Sequence, residues 1–208
     1  MNKQVIWDFW AEYYERLWVQ KYSLAPTREK IVRQLNKLFI AGRPYRIMDV
    51  GCGTGQLLRE IASEFAEYDL ELIGIDFSKK MVNKATNMGG NIRYQHLNVS
   101  DINSFGEGFD IIICTHSFPY YERQDDTIRQ FKDILKPGGH LLLAQASQNT
   151  LYDHVAMFFV KLTTGKANYL SVNNVLSMTD KCFQCESIIQ IKEQVFMPSI
   201  YCFVLKNI

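Results

Sequence analysis

The run Arg46-Ile47-Met48-Asp49-Val50-Gly51-Cys52-Gly53-Thr54-Gly55-Gln56-Leu57-Leu58 decides the fold. Its first half is a short apolar strand that carries one acid, Asp49. Its second half is a Gly-x-Gly-x-Gly turn that opens a helix, because Leu57, Leu58, Ile61, Ala62 and Phe65 recur at helical spacing. Glycines at 51, 53 and 55 let the backbone turn sharply and let a ligand lie against bare main chain. A dinucleotide site wants Gly-x-Gly-x-x-Gly. Gln56 stands where that third glycine belongs, which disfavours a nicotinamide-dependent dehydrogenase.

Working outward, Leu72-Ile73-Gly74-Ile75-Asp76 is a second apolar strand with an acid at its C-terminal end. In open α/β sheets an acid there lies beside the glycine turn and accepts hydrogen bonds from ribose hydroxyls. The competing role, capping the helix that starts near Ser78, is one that Ser78 can fill itself. Phe109-Asp110-Ile111-Ile112-Ile113-Cys114 is a further buried strand. Leu135-Lys136-Pro137-Gly138-Gly139-His140-Leu141-Leu142-Leu143 reads as a helix end, a Pro-Gly-Gly turn and a strand.

Together these segments resemble the class I S-adenosylmethionine-dependent methyltransferases. Asp49 to Gly55 is similar to the family's glycine motif, Gly74-Ile75-Asp76-Phe77-Ser78 to its ribose motif, and Leu135 to Gly139 to the turn before its fifth strand. The resemblance covers residues 45 to 146. Phe9-Trp10-Ala11-Glu12-Tyr13-Tyr14-Glu15 looks like the leading helix of the small-molecule and quinone-modifying branch, with Glu15 in place of the usual Asp.

Strands are expected at about 46–50, 71–75, 92–97, 109–114, 139–146, 186–196 and 200–206, with helices between the first five. That alternation predicts a Rossmann-like, doubly wound α/β sheet of seven strands, mostly parallel, with helices on both faces. Met197-Pro198-Ser199 is too short for a parallel crossover, so the final strand must be antiparallel to its predecessor. Residues 1–42 form a helical lid segment and 43–208 the catalytic domain, with a lid-like insertion at 149–180. In the resembled family those two segments roof the active site.

The chain has 208 residues, 47% hydrophobic and 22% charged, with a net charge of +1. This is one ordinary globular domain, with no global charge to draw it to nucleic acid or an anionic membrane. No run reaches the length of a membrane span and no secretory signal is present, so a cytoplasmic protein is expected, as monomer or homodimer. Five cysteines, an odd number, fit a reducing compartment. Cys182-x-x-Cys185 lacks a second ligand pair, so no metal is expected.

The resemblance implies S-adenosyl-L-methionine as cofactor and S-adenosyl-L-homocysteine as product. Asp76 would hold the ribose, and Asp49 would face the ammonium of the methionine end, which lies on the turn of Gly51, Gly53 and Gly55. Phe77 and Met81 would sandwich the adenine, and Asn98 with the backbone of Val99 would meet its edge. Asn98 stands where relatives often carry an acid, and Asp101 is its rival. Tyr14 and Thr115 complete the cofactor set. The acceptor would lie against Tyr13, His116, Tyr120 and Tyr121. Methyl transfer from an activated sulfonium needs mainly alignment and exclusion of water. A base is needed only if the acceptor must lose a proton, and His116 is the histidine placed for it.

The aromatic lid segments suggest an apolar or aromatic small molecule. Methylation of a nucleic-acid base amine is a rival reading. Ser117-Phe118-Pro119-Tyr120 echoes the amino-directed loop, but it lacks one proline, sits two residues late and comes without a basic groove. A non-catalytic cofactor-binding module of the same fold is the other alternative.

Overall fold

The computed structural model describes residue 8 and residues 20–148, 167–192 and 199–208. A single π turn, Gln20–Leu24, leads into helix α1, Ala25–Leu38. Pro26 sits in its first turn, where a missing N–H costs nothing. The chain then runs β1 (Tyr45–Val50), α2 (Gln56–Glu64), β2 (Leu70–Asp76), α3 (Lys79–Asn87) and β3 (Arg93–His96). It continues through a 3₁₀ turn at Val99–Phe105 into β4 (Phe109–Thr115) and a second 3₁₀ turn at Phe118–Tyr120. Helix α4 (Gln124–Ile134), β5 (Leu135–Ala146), α5 (Val172–Thr179), β6 (Phe183–Ile191) and β7 (Ile200–Asn207) complete the chain.

The sheet order is β3-β2-β1-β4-β5-β7-β6. The pairs among β1 to β5 are parallel, and β7 is antiparallel to both β5 and β6. This is the doubly wound sheet that the alternation of apolar segments implies. Side-chain alternation explains the two cores. Ile47, Ile111 and Leu142 face α1 and α2 through Ile31, Leu35, Leu58 and Ile61. Met48, Ile112, Leu143 and Phe203 face α4 and α5 through Ile128, Phe131 and Val175. Each such fully buried side chain contributes roughly 1.5–3 kcal/mol of transfer free energy.

Two boundaries differ from the sequence reading. Strand β5 starts at Leu135, so Pro137-Gly138-Gly139 lies inside the strand rather than before it. The cause is a register shift. Phe109 pairs with Leu135 while Ile111 already pairs with His140, and the surplus residues bulge out, with Gly138 at φ +74. Strand β6 begins at Phe183, three residues early, because Phe183 pairs with Asn207 and is buried in the second core.

Asp110 anchors the end of the sheet remote from the glycine turn. It binds Arg43 and Lys136, each at 2.8 Å, and the Arg46 N–H at 2.9 Å. The expected N-terminal helix, with Tyr13 and Tyr14, and the helical run of the insertion lie outside the described residues. Among the described residues no helix is long and apolar enough to cross a membrane.

Candidate active site

The C-terminal ends of β1, β2, β4 and β5 meet around the glycine turn. Gly51 and Cys52 both donate their N–H to Ile75 O, at 2.8 and 3.0 Å, which ties the end of β1 to β2. Gly51, Gly53 and Gly55 adopt φ of +78, +54 and +76, a region other residues enter only at a cost. Packing adds a second constraint. A Cβ on Gly51 would collide with Ser117, and one on Gly55 with the ring of Tyr94.

Asp76 joins the turn to the next helix. Its Oδ2 accepts from Gly53 N at 2.9 Å and its Oδ1 from Ser78 N at 2.8 Å. Ser78 caps α3, its Oγ accepting from Met81 N at 3.2 Å. Ser78 thus fills the capping role itself, and Asp76 ties the glycine turn to the start of α3. Burial pushes the Asp76 pKa up to about 6, against the pull of those two N–H groups. Asp8 also reaches this corner, its Oδ1 accepting from Ser78 Oγ at 2.5 Å.

Asp49 is 1% exposed, and its Oδ1 has no hydrogen-bond partner among the described residues. Burial first, and then repulsion from Asp76, push its pKa up to about 8. A buried carboxylate oxygen left unpaired is expensive unless a ligand completes it. An ammonium group seated on the glycine turn would do so, and the residues present therefore fit the methionine end of S-adenosylmethionine. Phe77 is half-buried and Met81 buried, both beside Asp76 at the start of α3. Asn98 is exposed and caps the 3₁₀ turn, its Oδ1 accepting from Ser100 N at 3.1 Å. One lone pair of that oxygen stays available for a ligand edge. Val99 follows it, half-buried.

On the other side, Thr115 ends β4 opposite Ala144. His116 follows with φ +61, and its N–H donates to Ala144 O at 2.7 Å. Its Nε2 lies 2.9 Å from Thr27 Oγ1 on α1. Burial, and then the nearby Arg28 guanidinium, push its pKa down to about 4, so the ring is neutral at physiological pH. Tyr121 turns its hydroxyl inward. It donates to Ser117 Oγ at 2.9 Å, and Ser117 donates to Val50 O at 2.9 Å. The pair thus buttresses Gly51 from below. Tyr120 instead bonds Tyr169 through their hydroxyls, 2.9 Å apart.

Sequence reasoning missed several of these groups. Gln124 donates to Phe118 O and Asn168 O, both at 3.0 Å, and accepts from Asn168 Nδ2 at 2.9 Å. Asn168 N also donates to Pro119 O at 2.7 Å. This lattice fastens the chain returning from the insertion onto the loop after β4. At the end of β5, Gln145 and Ser147 are wholly buried, yet both amide atoms of Gln145 and Ser147 Oγ lack partners among the described residues. A Gln-x-Ser on an otherwise apolar strand was the available signal. Two further histidines, His96 and His140, bind Phe77 O at 2.9 Å and Glu186 at 3.1 Å.

Comparison with known proteins agrees with this fold. A family described as a methyltransferase domain matches residues 42–195. The malonyl-[acyl-carrier protein] O-methyltransferase of Halalkalibacterium halodurans is 29% identical over 117 residues, 53% of this chain and 42% of that one. The ubiquinone biosynthesis O-methyltransferase of Coxiella burnetii is 27% identical over 132 residues, 62% of this chain and 53% of that one. The chain thus spans about half the length of these relatives. The magnesium protoporphyrin IX methyltransferase (ChlM) of Synechocystis PCC 6803, solved with bound SAH, superposes with a TM-score of 0.73. That match covers 99% of each chain at 19% identity, a likeness of fold.

Proposed function

The chain belongs to the class I S-adenosylmethionine-dependent methyltransferase family, and from that premise we propose that it is an enzyme methylating a small organic acceptor. The carrying observation is the unpaired, buried Oδ1 of Asp49 beside a glycine turn that Asp76 holds in place. Asp49 receives the ammonium of S-adenosylmethionine, and the main chain of Gly51 to Gly55 lies along its methionine end. Asp76 receives the ribose hydroxyls, using the second lone pair of each oxygen. Phe77 and Met81 flank the adenine, and Asn98 and Val99 meet its edge. Bound there, the cofactor supplies a methyl group already activated by a sulfonium.

The loop from Thr115 to Tyr121 aligns the acceptor. Such alignment and the exclusion of water are the chief work required of the protein. Tyr120, His116 and the polar atoms of Gln145 and Ser147, unpaired among the described residues, are polar groups at this end of the sheet. The phenols of Tyr120 and Tyr169 suit an aromatic or largely apolar acceptor. Two relatives named as O-methyltransferases support a hydroxyl or carboxyl oxygen as the site of transfer.

Calorimetry with S-adenosylmethionine alone tests the first half of this reading, and we expect saturable one-site binding. A panel of phenols, quinols, carboxylates and amines tests the second, with S-adenosylhomocysteine release measured by mass spectrometry. Binding without turnover on any acceptor would leave a cofactor-binding module. No binding at all would overturn the reading.

A further inference from the structure

One buried contact assigns the proton of an imidazole. Thr27 Oγ1 lies 2.8 Å from Ser23 O and 2.9 Å from His116 Nε2. A hydroxyl has one hydrogen, and the carbonyl of Ser23 can only accept it. The hydrogen therefore points to Ser23, and Oγ1 offers His116 a lone pair. Nε2 must carry the ring hydrogen, and Nδ1 must carry the ring's lone pair. Thr27 is wholly buried, so water does not compete for this arrangement.

The backbone holds the ring to the task. His116 is the one non-glycine residue at positive φ among the described residues. Such a conformation costs on the order of 1–3 kcal/mol and persists only where its surroundings over-determine it. Here the Ala144 O bond and the Thr27 bond fix it from both ends. The Arg28 cation, which disfavours imidazolium, is itself held by Glu60 at 2.8 Å, Gln20 at 3.1 Å and Gln56 at 3.3 Å.

Resting on the methyltransferase reading, we propose that Thr27 is a positioning residue that locks His116 as its Nε2–H tautomer, so that Nδ1 accepts a hydrogen bond from an acceptor hydroxyl. The site then favours acceptors whose nucleophilic oxygen still bears hydrogen. In the transfer, a lone pair of that oxygen forms the new O–C bond, and the C–S pair returns to sulfur. The oxygen becomes strongly acidic as it is alkylated, and its proton passes to Nδ1 and on to solvent. A weakly basic imidazole suffices for a proton lost that late. It would not deprotonate a resting phenol.

The test pairs a spectrum with kinetics, using the full chain. Nitrogen-15 NMR of the imidazole reports the tautomer with no substrate present, and we expect Nε2–H alone in the wild type. Thr27→Val removes the lone pair that Nε2–H needs, and Thr27→Ser keeps it. We expect Thr27→Val to mix the tautomers and to lower kcat with hydroxyl acceptors about tenfold or more, at unchanged cofactor affinity. Thr27→Ser should restore both. An Nδ1–H signal in the wild type would overturn the proposal, even if Thr27→Val fails to fold. So would a folded Thr27→Val protein with wild-type kcat. If S-adenosylmethionine does not bind, or no acceptor is methylated, the functional reading fails by itself, and the spectrum still decides the tautomer.

Discussion

The two halves of the site are built from different materials. In the proposed cofactor half, the ties of the glycine turn are main chain to main chain or main chain to carboxylate. Gly51 and Cys52 bond Ile75 O, and Gly53 and Ser78 bond Asp76. In the acceptor half, side chains do most of the fastening. His116 meets Thr27 from 89 residues away, and Gln124 meets Asn168 from 44 away. A backbone-built site constrains residue type tightly, since only glycine fits the turn and only a short acid spans two N–H groups. A side-chain-built site can be rebuilt with other residues, and is where acceptor preference can vary on a constant fold.

The sharpest way to break this contrast is Gly51→Val. The new Cβ would collide with Ser117 in a residue already at φ +78. Overpacking costs about 1–3 kcal/mol and the left-handed backbone adds about 1–2. We expect a large fall in thermal midpoint and no calorimetric signal with S-adenosylmethionine. A stable variant with wild-type affinity would show that the turn is not what holds the cofactor.

Asp76→Ala comes next. It leaves the N–H groups of Gly53 and Ser78 without their acceptor and removes the proposed ribose contact. Affinity should weaken by about 1–3 kcal/mol in a variant whose circular dichroism is unchanged. Unaltered affinity in a folded protein would remove Asp76 from the site.

Asp49 gives a pH signature. Its folded pKa, about 8, is raised above the ordinary carboxylate value, so the folded protein holds a proton that the unfolded chain has lost. That contribution to stability is present at acid pH and is lost as pH rises through about 8. His116 has the opposite sign. Its folded pKa of about 4 is depressed, so its contribution is present above its ordinary value of 6.5 and is lost as pH falls through 4. Between pH 6.5 and 8, Asp49 therefore sets the slope. There the unliganded protein should lose stability with rising pH. Ammonium binding favours the ionised acid, so cofactor affinity should rise, by at most about tenfold per pH unit. Asp49→Asn should flatten both trends. Parallel rather than opposed trends in the wild type would contradict the ammonium assignment.

These contrasts explain what was legible. Periodicity exposed β1, β2 and β4 because their apolar runs are buried on both faces, and it placed Asp49 and Asp76 at strand ends. It misjudged the start of β5, because a bulge carries no apolar period of its own. The glycine motif was read as room for a ligand, and the fold adds a second demand for glycine, since a Cβ at Gly51 or Gly55 would meet Ser117 or Tyr94. Those side chains are 66 and 39 residues distant in the chain, and no local pattern reports such a contact. No local pattern marks Thr27, since its hydroxyl meets His116 through the tertiary fold alone. Tyr121 was read as a pocket wall, but its hydroxyl turns toward the sheet, a choice of rotamer that sequence does not record.

Tyr120→Phe gives the smallest effect and the finest test of the division between the halves. It deletes one hydroxyl, bonded to Tyr169 Oη at 2.9 Å, while the ring keeps its edge-on contact with Tyr169 at 6.3 Å. A single intramolecular hydrogen bond contributes about 0.5–1.5 kcal/mol, so the thermal midpoint should fall by only a few degrees. The Gln124–Asn168 lattice still fastens the returning chain to Pro119, so the loop after β4 should keep its place. Cofactor affinity should not move, because the ties described for the glycine turn run through Ile75, Asp76 and Ser117. The effect should fall on the acceptor, as a severalfold rise in KM with little change in kcat, the pattern expected when binding rather than transition-state stabilisation is lost. A weakened cofactor affinity in this variant would mean that the two halves are mechanically coupled through the loop, and the division drawn between them would fail.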